Sequence, residues 1–172
     1  MFQDEGRFGR INTPRRCWAP KGIRPIVGSQ LVREYTYVYA AVSPVDGVMD
    51  SLILPEVNAD MLSLFLKEIS QRHPAEYIIM FLDGASWHQA HHLSVPVNMR
   101  LSIIPPYSPE LNPTEHLWDE IREKWFPNRV FNSMSAVEDT LVDSLFTLEN
   151  DHKRVKGLIG FDWIIDNISN AF

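Results

Sequence analysis

Tyr77-Ile78-Ile79-Met80-Phe81-Leu82-Asp83-Gly84 is a run of six apolar residues, one strand long, stopped by an acid and a glycine. With no polar residue on either alternating face, it predicts a central strand covered on both sides. Upstream, Asn58 caps a helix whose apolar positions Met61, Leu62, Phe65, Leu66 and Ile69 follow the 3.6-residue period, and Pro74 ends it. Before that helix, residues 35–42 are aromatic and β-branched and predict a strand. Pro44-Val45-Asp46-Gly47 turns the chain, and residues 48–54 return as the hairpin partner. Residues 1–10 predict a short first strand. Residues 11–30, interrupted by Pro14, Pro20, Pro25, Gly22 and Gly28, are mostly loop.

Downstream, residues 99–104 predict a further strand closed by Pro105-Pro106, and residues 113–125 a helix. A capping-box pattern at Ser135-Ala136-Val137-Glu138 opens another helix, with a stripe of Val137, Leu141, Leu145 and Leu148. Residues 161–168 read as a last short helix. A hairpin followed by strands that alternate with helices is an α/β arrangement with a mixed sheet, antiparallel in its hairpin and parallel elsewhere. One domain over residues 1–172 is expected, with a core of about 1–130 and a helical tail over 131–172.

Composition narrows the function classes. At 45% hydrophobic and 22% charged residues, the chain has the makings of an ordinary core. Its sole cysteine, Cys17, excludes an internal disulfide framework and an all-cysteine metal knuckle. No apolar run reaches the roughly 20 residues of a membrane helix. Met1-Phe2-Gln3-Asp4-Glu5 does not read as a signal peptide, so no membrane partner and a cytoplasmic location are expected. The net charge of −6 hides a polarity: residues 1–34 hold seven Lys/Arg against three Asp/Glu, and the rest nine against nineteen. An acidic body with one basic flap is the better description.

Ligands of such sheets sit beyond the carboxyl ends of the strands, which directs attention to strand-end acids. Asp83, at the lip of a buried strand, suits metal binding or acid–base work, and equally suits a turn cap before glycine. Asp4, beside Glu5 in the first strand, reads alone as part of a surface acidic pair. Glu115 falls at N3 of a helix with Asn112 as N-cap and Pro113 at N1, where a glutamate closes a capping box. Asp119 lies one turn further on. Carboxylates from the first strand, the central strand and this helix could meet at one sheet edge. There they would repel, raising a pKa, unless divalent cations neutralised them.

Pro106-Tyr107-Ser108-Pro109-Glu110-Leu111-Asn112-Pro113-Thr114-Glu115-His116-Leu117-Trp118 resembles the last motif of the mariner-superfamily DDE transposases, and within them the bacterial insertion-sequence branch. Asp4-Glu5 followed by Phe8-Gly9 resembles the first motif, and Asp83-Gly84-Ala85-Ser86-Trp87-His88 the second. The likeness covers about residues 2–130. It implies a ribonuclease-H-like fold and a metal-binding, catalytic triad of Asp4, Asp83 and Glu115 holding two Mg²⁺ or Mn²⁺ ions. It further implies cleavage of a transposon end and attack of the freed 3′-hydroxyl on target DNA, with double-stranded DNA as partner and a homodimer as one assembly. The 31 residues between Asp83 and Glu115 match the family's spacing.

Other positions carry paired readings. Asn112 is an expected partner of Glu115. His88 sits either near the reacting phosphate or as a turn histidine packed on Trp87. His91 and His92, near His88, give only a weak zinc pattern without Cys or His-Glu-x-x-His. Trp118, Ile121 and Trp125 read as a core stripe. Arg7, Arg10, Arg15, Arg16, Lys21 and Arg24, interleaved with Trp18, read as a DNA-backbone contact surface or as a solvated loop. The helix-turn-helix modules that recognise transposon ends in this family have no counterpart in these residues, which would leave end recognition to a separate polypeptide. A transposase catalytic domain, a structure-specific nuclease of the same fold, and an inactive DNA- or partner-binding remnant are the three functions to separate.

Overall fold

The computed structural model of the chain describes residues 1–12, 14–106 and 108–169. Tyr107 of the long motif and Thr13 of the basic loop lie outside them. Five strands, β1 (Phe2–Ile11), β2 (Leu31–Val42), β3 (Met49–Leu54), β4 (Ile78–Leu82) and β5 (Met99–Ile103), form one sheet in the order β3-β2-β1-β4-β5. The first three are antiparallel neighbours, whereas β4 runs parallel to both β1 and β5. Gly47, at φ 77°, makes the β2–β3 turn, a backbone conformation open to glycine at little cost.

Helix α1 (Ala59–Arg72) covers one face, and α2 (Thr114–Lys124), α3 (Met134–Glu149), α4 (His152–Ile159) and α5 (Asp162–Ser169) pack toward the other. The period-two alternation of β2 explains the split: Tyr39 and Ala41 join Leu62, Phe65, Leu66 and Ile69, while Val38, Ala40 and Val42 join Trp118, Leu141 and Leu145. The strand expected at residues 77–82 is present, but its cover is unequal. Ile78, Met80 and Leu82 are buried under α1, whereas Ile79 is 38% exposed on the other face, because the helices there gather over β1 and β2.

Local signals were mostly obeyed. Asn58 Oδ1 accepts the Met61 N–H at 2.9 Å and caps α1 as expected. The α3 cap is Ser133, whose hydroxyl accepts from Ala136 N–H, two residues before the capping box expected at Ser135. Helix α4 is capped by Asp151, which accepts the Arg154 N–H, and buries Val155 and Ile159.

Candidate active site

Strand pairing brings two of the acids level. Phe2 faces Phe81 in parallel register, and their rings stack at 5.0 Å. Asp4, two residues further along β1, and Asp83, just past the end of β4, therefore come to line the same cavity. Asn112 Nδ2 donates to Gln3 O at 3.1 Å and Thr114 Oγ1 to Phe2 O at 3.3 Å. These two bonds pin the start of α2 onto β1 and bring Glu115, in its first turn, to the same place.

A cleft of about 390 Å³ results, lined by Asp4, Asp83, Glu115, Asn112, Pro105 and Ser108. Asp4 is partly buried and its Oδ2 accepts the indole N–H of Trp118 at 2.8 Å. Burial pushes its carboxyl up to about 7, with the charges of Glu115 and Glu5 adding to the rise and the Trp118 bond opposing it. Gly6 allows this contact, since a Cβ there would sit 2.8 Å from the Trp118 ring. Glu115 is exposed and accepts no hydrogen bond among the described residues. Helix α2 differs from expectation in beginning at Thr114 with Pro113 at its N-cap and no side-chain cap, so no capping box forms; Asn112 Oδ1, one residue earlier, takes the Thr114 N–H. Its amide is spent on β1 and α2 and does not touch the Glu115 carboxylate, so it places Glu115 through the backbone.

Asp83 takes the turn-cap role expected of an acid before glycine. Oδ1 accepts the Ala85 N–H at 2.9 Å, which makes it a turn cap, while its side chain remains largely exposed to the cleft. His88 Nδ1 bonds the Asp83 backbone carbonyl at 2.9 Å and lies 2.8 Å from the same Oδ1, and His88 Nε2 lies 3.1 Å from Glu5 Oε1. Both partners are acceptors, so the doubly protonated imidazolium satisfies the arrangement. Burial opposes that charge, but the Glu5 carboxylate and Asp83 outweigh it and the His88 pKa is raised. His88 is buried with its ring edge-on to Trp87 at 5.5 Å, beneath the cleft. His91 and His92 stay exposed.

Among the described residues, no group of three His, Cys, Asp or Glu side chains is drawn together tightly enough to grip a metal ion. The charged groups lining the cleft are nevertheless all carboxylates, oxygen donors of the kind Mg²⁺ and Mn²⁺ prefer. A partly buried carboxyl that is costly to ionise, beside a second acid, is a site whose charge a divalent cation would relieve.

The basic flap leaves the sheet through a closed neck. Asn12 Nδ2 donates to Gly28 O and Asn12 Oδ1 accepts Gln30 N–H, while the Gln30 amide pairs with both backbone groups of Phe131. Beyond the neck, Arg16, Trp18, Lys21 and Arg24 are exposed and have no polar partner among the described residues. Arg10 differs from expectation: it is turned inward, bonding Glu34 at 2.7 Å and Phe131 O at 2.9 Å, and serves as a structural tie. Arg15 pairs with Glu123, and Arg7 stacks over Tyr35.

Sequence reasoning missed two contacts at the cleft. Glu5 was only the neighbour of Asp4, yet the strand alternation sends it through the opposite face to His88. Trp118 was rightly read as core, being 1% exposed, but the helical period says nothing of where its N–H points.

The sheet order, the two helical layers and the cleft define a ribonuclease-H-like domain. The chain belongs to the DDE superfamily endonuclease family, whose model matches residues 1–138. An uncharacterized protein, y4pE/y4sA, of Sinorhizobium fredii (strain NBRC 101917 / NGR234) is 37% identical over 104 residues, which is 60% of this chain and 77% of that one. Among solved structures, the Mos1 mariner paired-end complex with Mn superposes with a TM-score of 0.64 at 18% identity, covering 91% of this chain and 52% of that one. The pre-cleavage Mos1 transpososome gives 0.63 at 16%, covering 93% and 55%. At these identities the likeness is one of fold, and the chain spans about half the length of the Mos1 chains it matches.

Proposed function

We propose that this domain cuts DNA strands and joins the freed ends to target DNA by metal-dependent phosphoryl transfer, as the catalytic part of a transposase. The observation that carries the reading is the cleft itself: three carboxylates from β1, the end of β4 and the start of α2 line one cavity of a DDE-family domain. Asp4, Asp83 and Glu115 would hold two Mg²⁺ or Mn²⁺ ions. Bound there, the ions supply Lewis-acid activation of the attacking oxygen and neutralise charge on the leaving oxygen.

The chain's own residues supply position. Trp118 holds Asp4 in one rotamer and favours its ionised form. Asn112 and Thr114 fix the height of Glu115 on β1. His88 restrains Asp83 from below and is a positioning residue in this reading. Arg16, Lys21, Arg24 and Trp18 are free to meet DNA beyond the neck, and their contacts would be to the backbone. Double-stranded DNA, as transposon end and as target, is the proposed substrate.

Nicking of supercoiled plasmid in Mg²⁺ tests the chemistry, with loss in Asp83→Ala and Glu115→Gln expected. Joining of a pre-cut end to plasmid separates a transposase from a plain nuclease. One observation favours a binding-only role: Asp83 Oδ1 is already engaged by Ala85 and His88. Under that alternative DNA is bound but not nicked in Mg²⁺ or Mn²⁺.

A further inference from the structure

Four guanidinium groups that the cleft does not use mark a second site. A cavity of about 320 Å³ is ringed by Arg7, Arg15, Arg122 and Arg129. Its floor is aromatic: Arg7 lies 4.7 Å over Tyr35, Arg122 lies 5.3 Å over Phe8, and Arg129 lies 4.9 Å over Phe131. Stacking holds each guanidinium plane while leaving N–H edges to face the cavity. Of the four, only Arg15 has a carboxylate partner among the described residues, Glu123 at 3.3 Å on an exposed stem. Arg129 donates to the Trp125 carbonyl, which supplies no counter-charge. Arg7 and Arg122 have no hydrogen bond or ion pair among the described residues. Four like charges around one cavity repel until an anion sits between them, and the planar fork of arginine matches phosphate oxygens two at a time.

The location narrows the ligand. Asp4 and Phe8 share one face of β1, and four residues of strand span ~13 Å. Glu115 and Arg122 are seven apart and so share one face of α2, separated by ~10 Å. The arginine cavity therefore lies along the same flank as the acidic cleft. That separation is about two phosphates along one B-form strand, whose neighbouring phosphates lie farther apart than the ~3.4 Å axial rise because the strand winds around the axis. We infer that this cavity binds a backbone phosphodiester of the DNA strand whose reacting phosphate occupies the acidic cleft, with Arg122 and Arg129 as its principal donors. The direction of the strand rests on the nuclease reading above. A free nucleotide or inorganic phosphate offers the same anion, so the test must part the two sources.

Fluorescence anisotropy of a labelled DNA duplex in EDTA reads binding without chemistry. The Arg122→Gln/Arg129→Gln chain is expected to bind at least about tenfold more weakly. Its affinity should also lose about two counterions of salt dependence. Arg122→Lys/Arg129→Lys should recover the salt dependence but only part of the affinity. Binding in EDTA and nicking in Mg²⁺ are read separately, so that an unaltered chain that binds duplex but does not nick discredits the cleft chemistry alone. If loss of the Phe8 stack unfolds the first variant, as a thermal melt would show, Arg7→Gln/Arg129→Gln on exposed side chains gives the same readout. Unaltered affinity in a folded double variant overturns the inference. So does absence of binding by the unaltered chain, or displacement of duplex by inorganic phosphate or dAMP at equal phosphate concentration.

Discussion

Trp118 Nε1 donates to Asp4 Oδ2 at 2.8 Å, tying the first-strand acid to the helix that carries Glu115. The bond is one of the few forces opposing the upward shift of the Asp4 carboxyl to about 7. Trp118→Phe keeps most of the packing and removes the donor. We expect a loss of about 1–3 kcal/mol in stability and a further rise in the Asp4 pKa. Titration of Asp4 by carbon-detected NMR should show it, and nicking should fall more at pH 7 than at pH 9.

The Asp4 shift also fixes a pH dependence of folding. An acid whose folded pKa is raised from 3.8 to about 7 stabilises the fold below pH 4, and that contribution is lost as pH rises through 7. Asp4→Asn removes the dependence while its side-chain oxygen can still accept from Trp118. The variant should equal the parent in stability near pH 4 and exceed it at pH 8 by up to about 4 kcal/mol. Added Mg²⁺ should raise the melting temperature of the parent at pH 8 and leave Asp4→Asn nearly unchanged.

Gly6 sits between those partners in space, and a methyl group there would press on both Phe8 and Trp118 at 2.8 Å. Both neighbours are buried rings, so neither can give way cheaply. Gly6→Ala should cost about 1–3 kcal/mol, as overpacking does, and shift the Trp118 fluorescence spectrum. A neutral outcome would mean that the indole is free to move off Asp4.

How much was legible beforehand follows from the range of each cue. Strands, α1, α2 and the α3 stripe were legible because hydrophobic period is local; Asp83 and Glu115 stood out at the ends of elements, whereas Asp4, inside its strand, was singled out only by the resemblance of its motif. The Ser133 cap was missed because Ser133 and Ser135 both offer a hydroxyl before the same stripe, and propensity alone does not choose between them. Arg10 was read with the flap because charge counts along the chain do not say which way a side chain turns. Asn112 was placed against Glu115 by helical spacing, whereas its partner Gln3 lies 109 residues away. Contacts of that range, including Glu5 with His88 and Asp4 with Trp118, depend on sheet order, which no local pattern carries.

His88 joins two acids from separate motifs, with Glu5 at 3.1 Å and Asp83 at 2.8 Å. Its pKa is raised despite burial, so its charged form stabilises the fold. That contribution is complete below its unfolded value of about 6.5 and disappears as pH rises through the higher folded value. His88→Gln should therefore destabilise by about 3 kcal/mol at pH 6, leaving Glu5 buried without its cation, and by clearly less at pH 9. Equal losses at both pH values in urea melts would argue that His88 packs in its neutral form.

The flap separates stability from binding along its own length. At its neck, Asn12 closes Gly28 and Gln30 across the loop with bonds of 2.6 and 2.7 Å, and these exist only in the folded chain. Asn12→Ala should cost about 1–2 kcal/mol. At its tip, Arg16, Lys21 and Arg24 touch no polar partner among the described residues and Trp18 is fully exposed, so changing them should alter stability by no more than about 0.5 kcal/mol. If the tip meets DNA, Arg16→Gln/Lys21→Gln/Arg24→Gln should weaken duplex binding and lower its salt dependence by about three counterions. Thermal melts and anisotropy on the same two variants read both properties. Loss of DNA affinity in the neck variant but not in the tip variant would show that the flap supports the body of the domain and leaves the DNA to other surfaces.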